Sequence, residues 1–320
     1  MWGTVTHATR LELEGVLACP DCGAVLPGLD QWKRDGAVCP NCGDAFPIIR
    51  GVPRFVTMDN YAGSFGFEWN RHRRTQLDDG TSRESEETFR TKTGLSPTEV
   101  AGRLVLDVGC GMGRFADVVS RWGGQVVGVD LSAAVEAARA NLEDRPNVQI
   151  LQADCFRLPF ARDSFDVIYS LGVLHHTPDC AAAFRALVPF LKPGGTLAIW
   201  VYAHMGPWVH FANLYRCLTT RMPHRLLYAL CHLAVPLYHL HRVPRVGTLT
   251  QTLLPTSMHP KASWRVLDTF DWYSPRYQSM HDPEEVRGWL EAAGLIDIRV
   301  LATPVSVRGR RPVPAEAARG

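Results

Sequence analysis

Short apolar runs separated by longer mixed segments set the rhythm of the middle of this chain. From Arg103 onward, strand-like runs fall at 103–108, 125–129, 147–151, 165–170 and 195–201, each rich in Val, Ile and Leu and too short for a helix. Between them, 113–122, 132–143 and 179–191 carry apolar residues at helical spacing. Continuous apolar runs suit strands buried on both faces. Their alternation with helices predicts a parallel sheet wrapped by helices, with ligands at the carboxyl ends of the strands. Pro189 lies within the third helical segment and should kink or shorten it. Glu84–Thr91 reads as a helix ahead of the first strand, Pro283–Ala293 as another near the end. Leu295–Val300 and Val305–Arg308 read as two closing strands.

The first run leads into a loop with candidate chemistry. Leu104–Ala116, LVLDVGCGMGRFA, turns through Gly109, Gly111 and Gly113 before its helix begins. Glycines allow a sharp turn and let a ligand reach the main chain without meeting a Cβ. The second strand ends at Asp130, where a carboxylate can accept hydrogen bonds from both hydroxyls of a ribose. Dinucleotide enzymes use a similar loop, so these two features alone do not decide the ligand. Three later stretches narrow the choice: VQILQADCFRLPF (Val148–Phe160), SFDVIYSLGVLHHTPD (Ser164–Asp179) and FLKPGGTLAIW (Phe190–Trp200). Taken in this order, the four stretches resemble the motifs of class I S-adenosylmethionine-dependent methyltransferases, of the broad ubiquinone/menaquinone-type group.

That resemblance implies an α/β fold: a doubly wound, mostly parallel sheet with an antiparallel last strand. It also implies S-adenosyl-L-methionine as cofactor and a set of roles. Gly109, Gly111 and Gly113 give the main-chain approach, while Asp107 fixes the turn or reaches the ammonium side through water. Asp130 takes the ribose, Leu131 packs on the adenine, and Asp154 with the Cys155 amide reads the adenine edge. The Ser170 and Leu171 carbonyls approach the ammonium end. His175 and His176 follow the fourth strand, where methyl acceptors stand. A neutral imidazole there can remove the acceptor's proton, although a pocket-wall role fits the pair as well. Tyr273 and His281, in DTFDWYSPRYQSMH with Asp271 and Tyr277, are second candidates from the opposite wall.

The N-terminal part has a chemistry of its own. Cys19-Pro-Asp-Cys22 and Cys39-Pro-Asn-Cys42 are two C-x2-C turns, a spacing that places four thiolates around a structural zinc with no position left for water. Such a segment is too small for a core, so the metal should supply most of its folding energy. It resembles the small zinc ribbons that activate tRNA and rRNA methyltransferases. A connector rich in aromatics follows: Tyr61, Phe65, Phe67 and Trp69, then the basic cluster Arg71–Arg74. These residues either dock the ribbon or cap the cofactor or substrate, with the arginines on a phosphate.

Composition narrows the function classes. With 320 residues, 46% hydrophobic content and a net charge of +2, the chain is an ordinary globular sequence rather than a general polyanion binder. It contains no apolar run long enough to span a bilayer. The first fifteen residues lack the apolar core of a signal peptide, which predicts a cytoplasmic location. One segment stands apart: between Val201 and Leu267 there is no Asp or Glu, while Arg216, Arg221, Arg225, Arg242, Arg245, Lys261 and Arg265 all occur. This apolar, basic insertion reads either as a helical lid, packed on the core or on a second subunit of a homo-oligomer, or as a peripheral contact with an anionic membrane. The expected divisions are a zinc ribbon at 1–57, a connector or cap at 58–100, the core at 101–200, a helical substrate-side insertion at 201–275 and the end of the core at 276–320. The expected function is methyl transfer to a small-molecule or lipid-linked acceptor. Alternatives are an RNA methyltransferase using the ribbon and Arg71–Arg74, and a non-catalytic cofactor-binding scaffold.

Overall fold

The computed structural model describes residues 11, 13–57, 60–79, 82–204 and 208–314, with only the backbone described at Trp208 and His210. Residues 1–10 and 315–320 lie outside the described residues.

The chain begins with a small antiparallel sheet, β1 (Gly36–Val38), β2 (Ala45–Ile49) and β3 (Val52–Pro53). Trp32, Phe46 and Phe55 cluster behind it, with ring centroids 4.8–6.5 Å apart. Too small for a core of its own, this ribbon joins that of the main domain. Its buried Leu17, Leu26, Phe46 and Phe55 share one core with Leu151, Leu158 and Phe160 of the main domain. The Phe55 amide donates to the Gln152 carbonyl at 2.8 Å and the Ala18 amide to the Pro159 carbonyl at 3.0 Å. Buried Arg54 reaches Gln152 at 2.8 Å and Glu136 at 3.1 Å. Burial lowers its pKa, and the Glu136 charge opposes that shift.

Three helices lead to the main sheet: α1 (Gly63–Arg71), α2 (Glu84–Thr93) and α3 (Pro97–Val100). The first was read from sequence only as a connector, since two glycines and alternating aromatics carry no helical signal. Packing decides it. A Cβ on Gly66 would meet Ala133 at about 3.1 Å, so glycine lets α1 lie close against the main domain.

The core continues as β4 (Leu104–Val108), α4 (Arg114–Arg121), β5 (Gln125–Asp130), α5 (Val135–Asn141), β6 (Val148–Gln152), β7 (Phe165–Leu171), α6 (Cys180–Leu187) and β8 (Leu191–Trp200). Helix α6 stops at Leu187 and a 3-10 turn over Val188–Phe190 follows, as Pro189 requires. Five helices then form the insertion: α7 (Trp208–Thr219), α8 (His224–Cys231), α9 (Ala234–His241), α10 (Gly247–Leu253) and α11 (Ala262–Tyr273). Helix α12 (Pro283–Ala292), β9 (Ile296–Val300) and β10 (Ser306–Arg310) close the fold. Sheet order is β6-β5-β4-β7-β8-β10-β9, with β4 to β8 parallel and β10 antiparallel to both its neighbours. The strand order reverses between β4 and β7, which opens a crevice at their carboxyl ends.

Candidate active site

A cavity of about 330 Å³ occupies that crevice. Its floor comes from the loops after β4 to β8, one wall from α1, and the other from α11. On α11 the lining residues Trp264, Leu267, Asp268 and Asp271 fall on one helical face. Val266, Phe270 and Tyr273 fall on the opposite face, against Ala212, Leu227 and Tyr228 of the insertion.

At one end lie Tyr61, Asp130, Leu131, Asp154 and Cys155. Asp130 accepts from the Gly111 amide at 2.9 Å through one oxygen, and from the Ser132 amide and hydroxyl at 2.8 and 2.7 Å through the other. Each carboxylate oxygen has two lone pairs, so the first retains capacity for a ribose hydroxyl. Burial raises the Asp130 pKa, and the hydrogen bonds from Ser132 and Gly111 oppose the shift. The glycine loop is needed partly for protein packing. A Cβ on Gly109 would sit about 2.3 Å from Val173, and one on Gly113 about 2.6 Å from Leu142, at φ of +79° and +88°. Gly111 and Trp69 both line the cavity, where a Gly111 Cβ would lie 3.4 Å from the indole nitrogen.

The other end is acidic and aromatic. Glu68 is 1% exposed and neither of its carboxylate oxygens has a partner among the described residues. Burial pushes its pKa well above the usual carboxylate range, helped by the charges of Asp271 and Asp268. Asp271 accepts from the Tyr202 hydroxyl at 2.7 Å. Asp268 accepts from Ser257 at 2.9 Å and is pushed up to about 6, chiefly by burial. Lys92 lies 3.0 Å over the Trp200 ring; burial, with Arg114 nearby, brings it down to about 7. Arg114 is held by Ser85 at 2.9 Å and Gln76 at 3.2 Å.

The histidine pair divides in space. His176 lines the cavity, and its Nδ1 lies 3.0 Å from the Tyr277 carbonyl. A carbonyl can only accept, so the ring hydrogen resides on Nδ1 and Nε2 keeps its lone pair. Nε2 is buried without a partner among the described residues, and burial keeps the ring neutral. His175 is fully buried behind that wall, stacked on Tyr202 with centroids 3.8 Å apart.

Several sequence candidates stand outside the cavity wall. Asp107 is buried below the loop, where desolvation raises it to about 7. The Ser170 hydroxyl donates to the Val108 carbonyl at 2.9 Å and ties β7 to the end of β4, while Leu171 does line the cavity. The Tyr273 hydroxyl is taken by the Pro255 carbonyl at 2.7 Å, on the far face of α11. His281 spends its ring nitrogens on Glu285 at 3.0 Å and Ser279 at 2.8 Å. Of the connector aromatics, Tyr61, Phe65 and Trp69 line the cavity, whereas Phe67 faces Tyr228 and Phe270. Arg71 stacks over Tyr228 at 4.5 Å. Glu68, Lys92 and Arg114 were not singled out from sequence. An acid between Phe67 and Trp69 was the available signal for Glu68.

The Sγ atoms of Cys19, Cys22, Cys39 and Cys42 all lie within 4.8 Å of one another. The Cys19–Cys42 and Cys22–Cys39 separations are 3.6 and 3.5 Å. The amides of Cys22 and Cys42 point at the sulfurs of Cys19 and Cys39.

Residues 106–199 match the methyltransferase-domain family. The chain is 40% identical over 121 residues to the ubiquinone biosynthesis O-methyltransferase of Albidiferax ferrireducens, covering 37% of this chain and 43% of that one. It is 42% identical over 106 residues to methyltransferase GfsG of Streptomyces halstedii, covering 31% and 37%. A solved S-adenosylmethionine-dependent methyltransferase from Mesorhizobium loti is 33% identical over 40% of this chain and 59% of its own, with a TM-score of 0.35. The chain thus spans less than half the length of those two curated relatives.

Proposed function

We propose that this chain, whose residues 106–199 are a class I S-adenosylmethionine-dependent methyltransferase domain, transfers a methyl group to a small-molecule or lipid-linked acceptor held between α1 and α11. The observation that carries the reading is one cavity with two chemically distinct ends at the crevice where the strand order reverses. The bound cofactor supplies an electrophilic methyl on a sulfonium, which leaves alignment and proton removal to the protein.

The residues present fit that cofactor. Asp130 has one oxygen with a lone pair free for a ribose hydroxyl, and Leu131, Asp154 and the Cys155 amide frame a site for the adenine. Gly111 offers main chain between them, and the Leu171 carbonyl offers an acceptor for the ammonium. Toward the acceptor, His176 Nε2 takes up a proton, because its tautomer is set by Tyr277 and its burial keeps it neutral. Glu68, which burial keeps protonated, is positioned to donate a hydrogen bond to the acceptor, and Asp271 to accept one. The likeness to ubiquinone biosynthesis O-methyltransferases favours a small-molecule or lipid-linked acceptor over RNA.

The four cysteines fit zinc. A tetrahedral site with Zn–S near ~2.3 Å places sulfurs roughly 3.8 Å apart, close to the observed pairs, and backbone amides already face two of the thiolates. Four thiolates close the coordination sphere, so the metal would brace the ribbon and take no part in the chemistry.

The test offers cofactor with a radiolabelled methyl group to extracted RNA, lipid and metabolite fractions. Label should enter the lipid or metabolite fraction. Label in RNA alone would overturn the acceptor class, and no transfer despite intact cofactor binding would favour a scaffold.

A further inference from the structure

The insertion has an outer face that the fold leaves uncovered. Twelve of the nineteen exposed large hydrophobic side chains among the described residues fall between Leu214 and Met258. They recur at helical spacing: Leu214 and Leu218 on α7, Leu226 and Leu230 on α8, Leu249 and Leu253 on α10. Helices α7 and α8 are therefore apolar on two sides, since on α7 Ala212 and Tyr215 pack inward. On α8 the inner side, Leu227, Tyr228 and Cys231, packs against α11, while the outer leucines are 43–52% exposed.

Charge on this face has one sign. The insertion contains no acid from Val201 to Leu267. Its two buried arginines are spent inside: Arg216 on the Trp272 and Pro275 carbonyls, Arg265 on those of His259 and Pro260. Arg221, Arg225, Arg242 and Arg245 are exposed, and none forms an ion pair among the described residues. Exposed leucines interleaved with unpaired arginines match an interfacial membrane surface, where apolar side chains enter the acyl boundary and cations meet lipid phosphates. A symmetric dimer through this face is disfavoured, because it would set the same acid-free, arginine-bearing patch against itself.

We infer that the outer face of α7 to α10 docks this protein on an anionic lipid bilayer. Helix α11 lies between this face and the cavity, so docking puts the acceptor end one helix layer from the lipid. Of the two acceptor sources proposed above it therefore selects the lipid-linked one, and only this last step rests on that reading.

The experiment is flotation of the full chain, without cofactor or acceptor, with vesicles of phosphatidylcholine alone or mixed with phosphatidylglycerol. Binding should require the anionic lipid and weaken as salt rises. Replacing Arg221, Arg225, Arg242 and Arg245 by Gln should weaken it roughly fivefold per arginine. Leu226→Ser with Leu230→Ser should weaken it by roughly tenfold per leucine. Both variants should still bind S-adenosylhomocysteine with wild-type affinity by calorimetry, which shows that they fold. Equal binding to neutral vesicles, or no binding, overturns the inference. So does a stable dimer by light scattering that the leucine variant dissolves, since a second copy would then cover the face. Because the assay needs no methyl transfer, its failure leaves the enzymatic reading untouched.

Discussion

Replacing Glu68 by Gln should stabilise the protein relative to wild type as pH rises. Glu68 is 1% exposed, unpartnered, and faces Asp268 and Asp271 across the cavity. Its folded pKa lies well above the ordinary value of 4.5, so above pH 4.5 the folded chain holds a proton that the unfolded chain releases. For an acid raised in this way, stability is lost as pH rises from the unfolded value toward the folded one, by ~1.4 kcal/mol per pH unit. Gln keeps the shape and does not titrate. Its cost as a buried amide is the same at every pH. From pH 4.5 up toward the raised folded value, the variant should therefore gain on wild type by ~1.4 kcal/mol for each pH unit. Urea unfolding followed by tryptophan fluorescence, with unchanged m-values, reads that difference directly. Thiolate and Asp268 titrations are common to both proteins and largely cancel. Parallel pH profiles would refute the reasoning, because Glu68 would then be ionised or paired in the folded state.

Three further outcomes are expected. Asp130→Ala should abolish binding of both S-adenosylmethionine and S-adenosylhomocysteine by calorimetry; unchanged affinity would remove the ribose role. Purified protein should hold about one zinc by elemental analysis, and Cys19→Ser should release it and expose Trp32 fluorescence to solvent. Full zinc retention after loss of two of the four cysteines would exclude the site. His176→Gln should lower turnover by ~10²–10⁴ at nearly unchanged cofactor affinity, whereas His175→Gln should act mainly through stability. Equal turnover losses for the two would contradict the division seen in the structure.

The sequence by itself determined the sheet, the glycine loop and the cysteine knuckles. Each depends on residues near one another in the chain: apolar runs that suit buried strands, glycines at positive φ, and cysteines with two residues between them. Pro189 likewise ended its helix through its own ring. Tertiary structure alone decided which polar groups share the cavity. Glu68, Lys92, Asp268 and Asp271 lie on three helices far apart in the chain, and they meet only because α1 and α11 close over the strand ends. Helical phase on α11 turned Asp271 inward and Tyr273 away, and packing put His176 rather than His175 on the cavity wall, with its tautomer set by a single backbone carbonyl. The insertion's apolar composition was legible, but which of its leucines faced α11 and which faced outward was not. Both stripes have the same spacing, and only packing against Val266 and Phe270 distinguishes them.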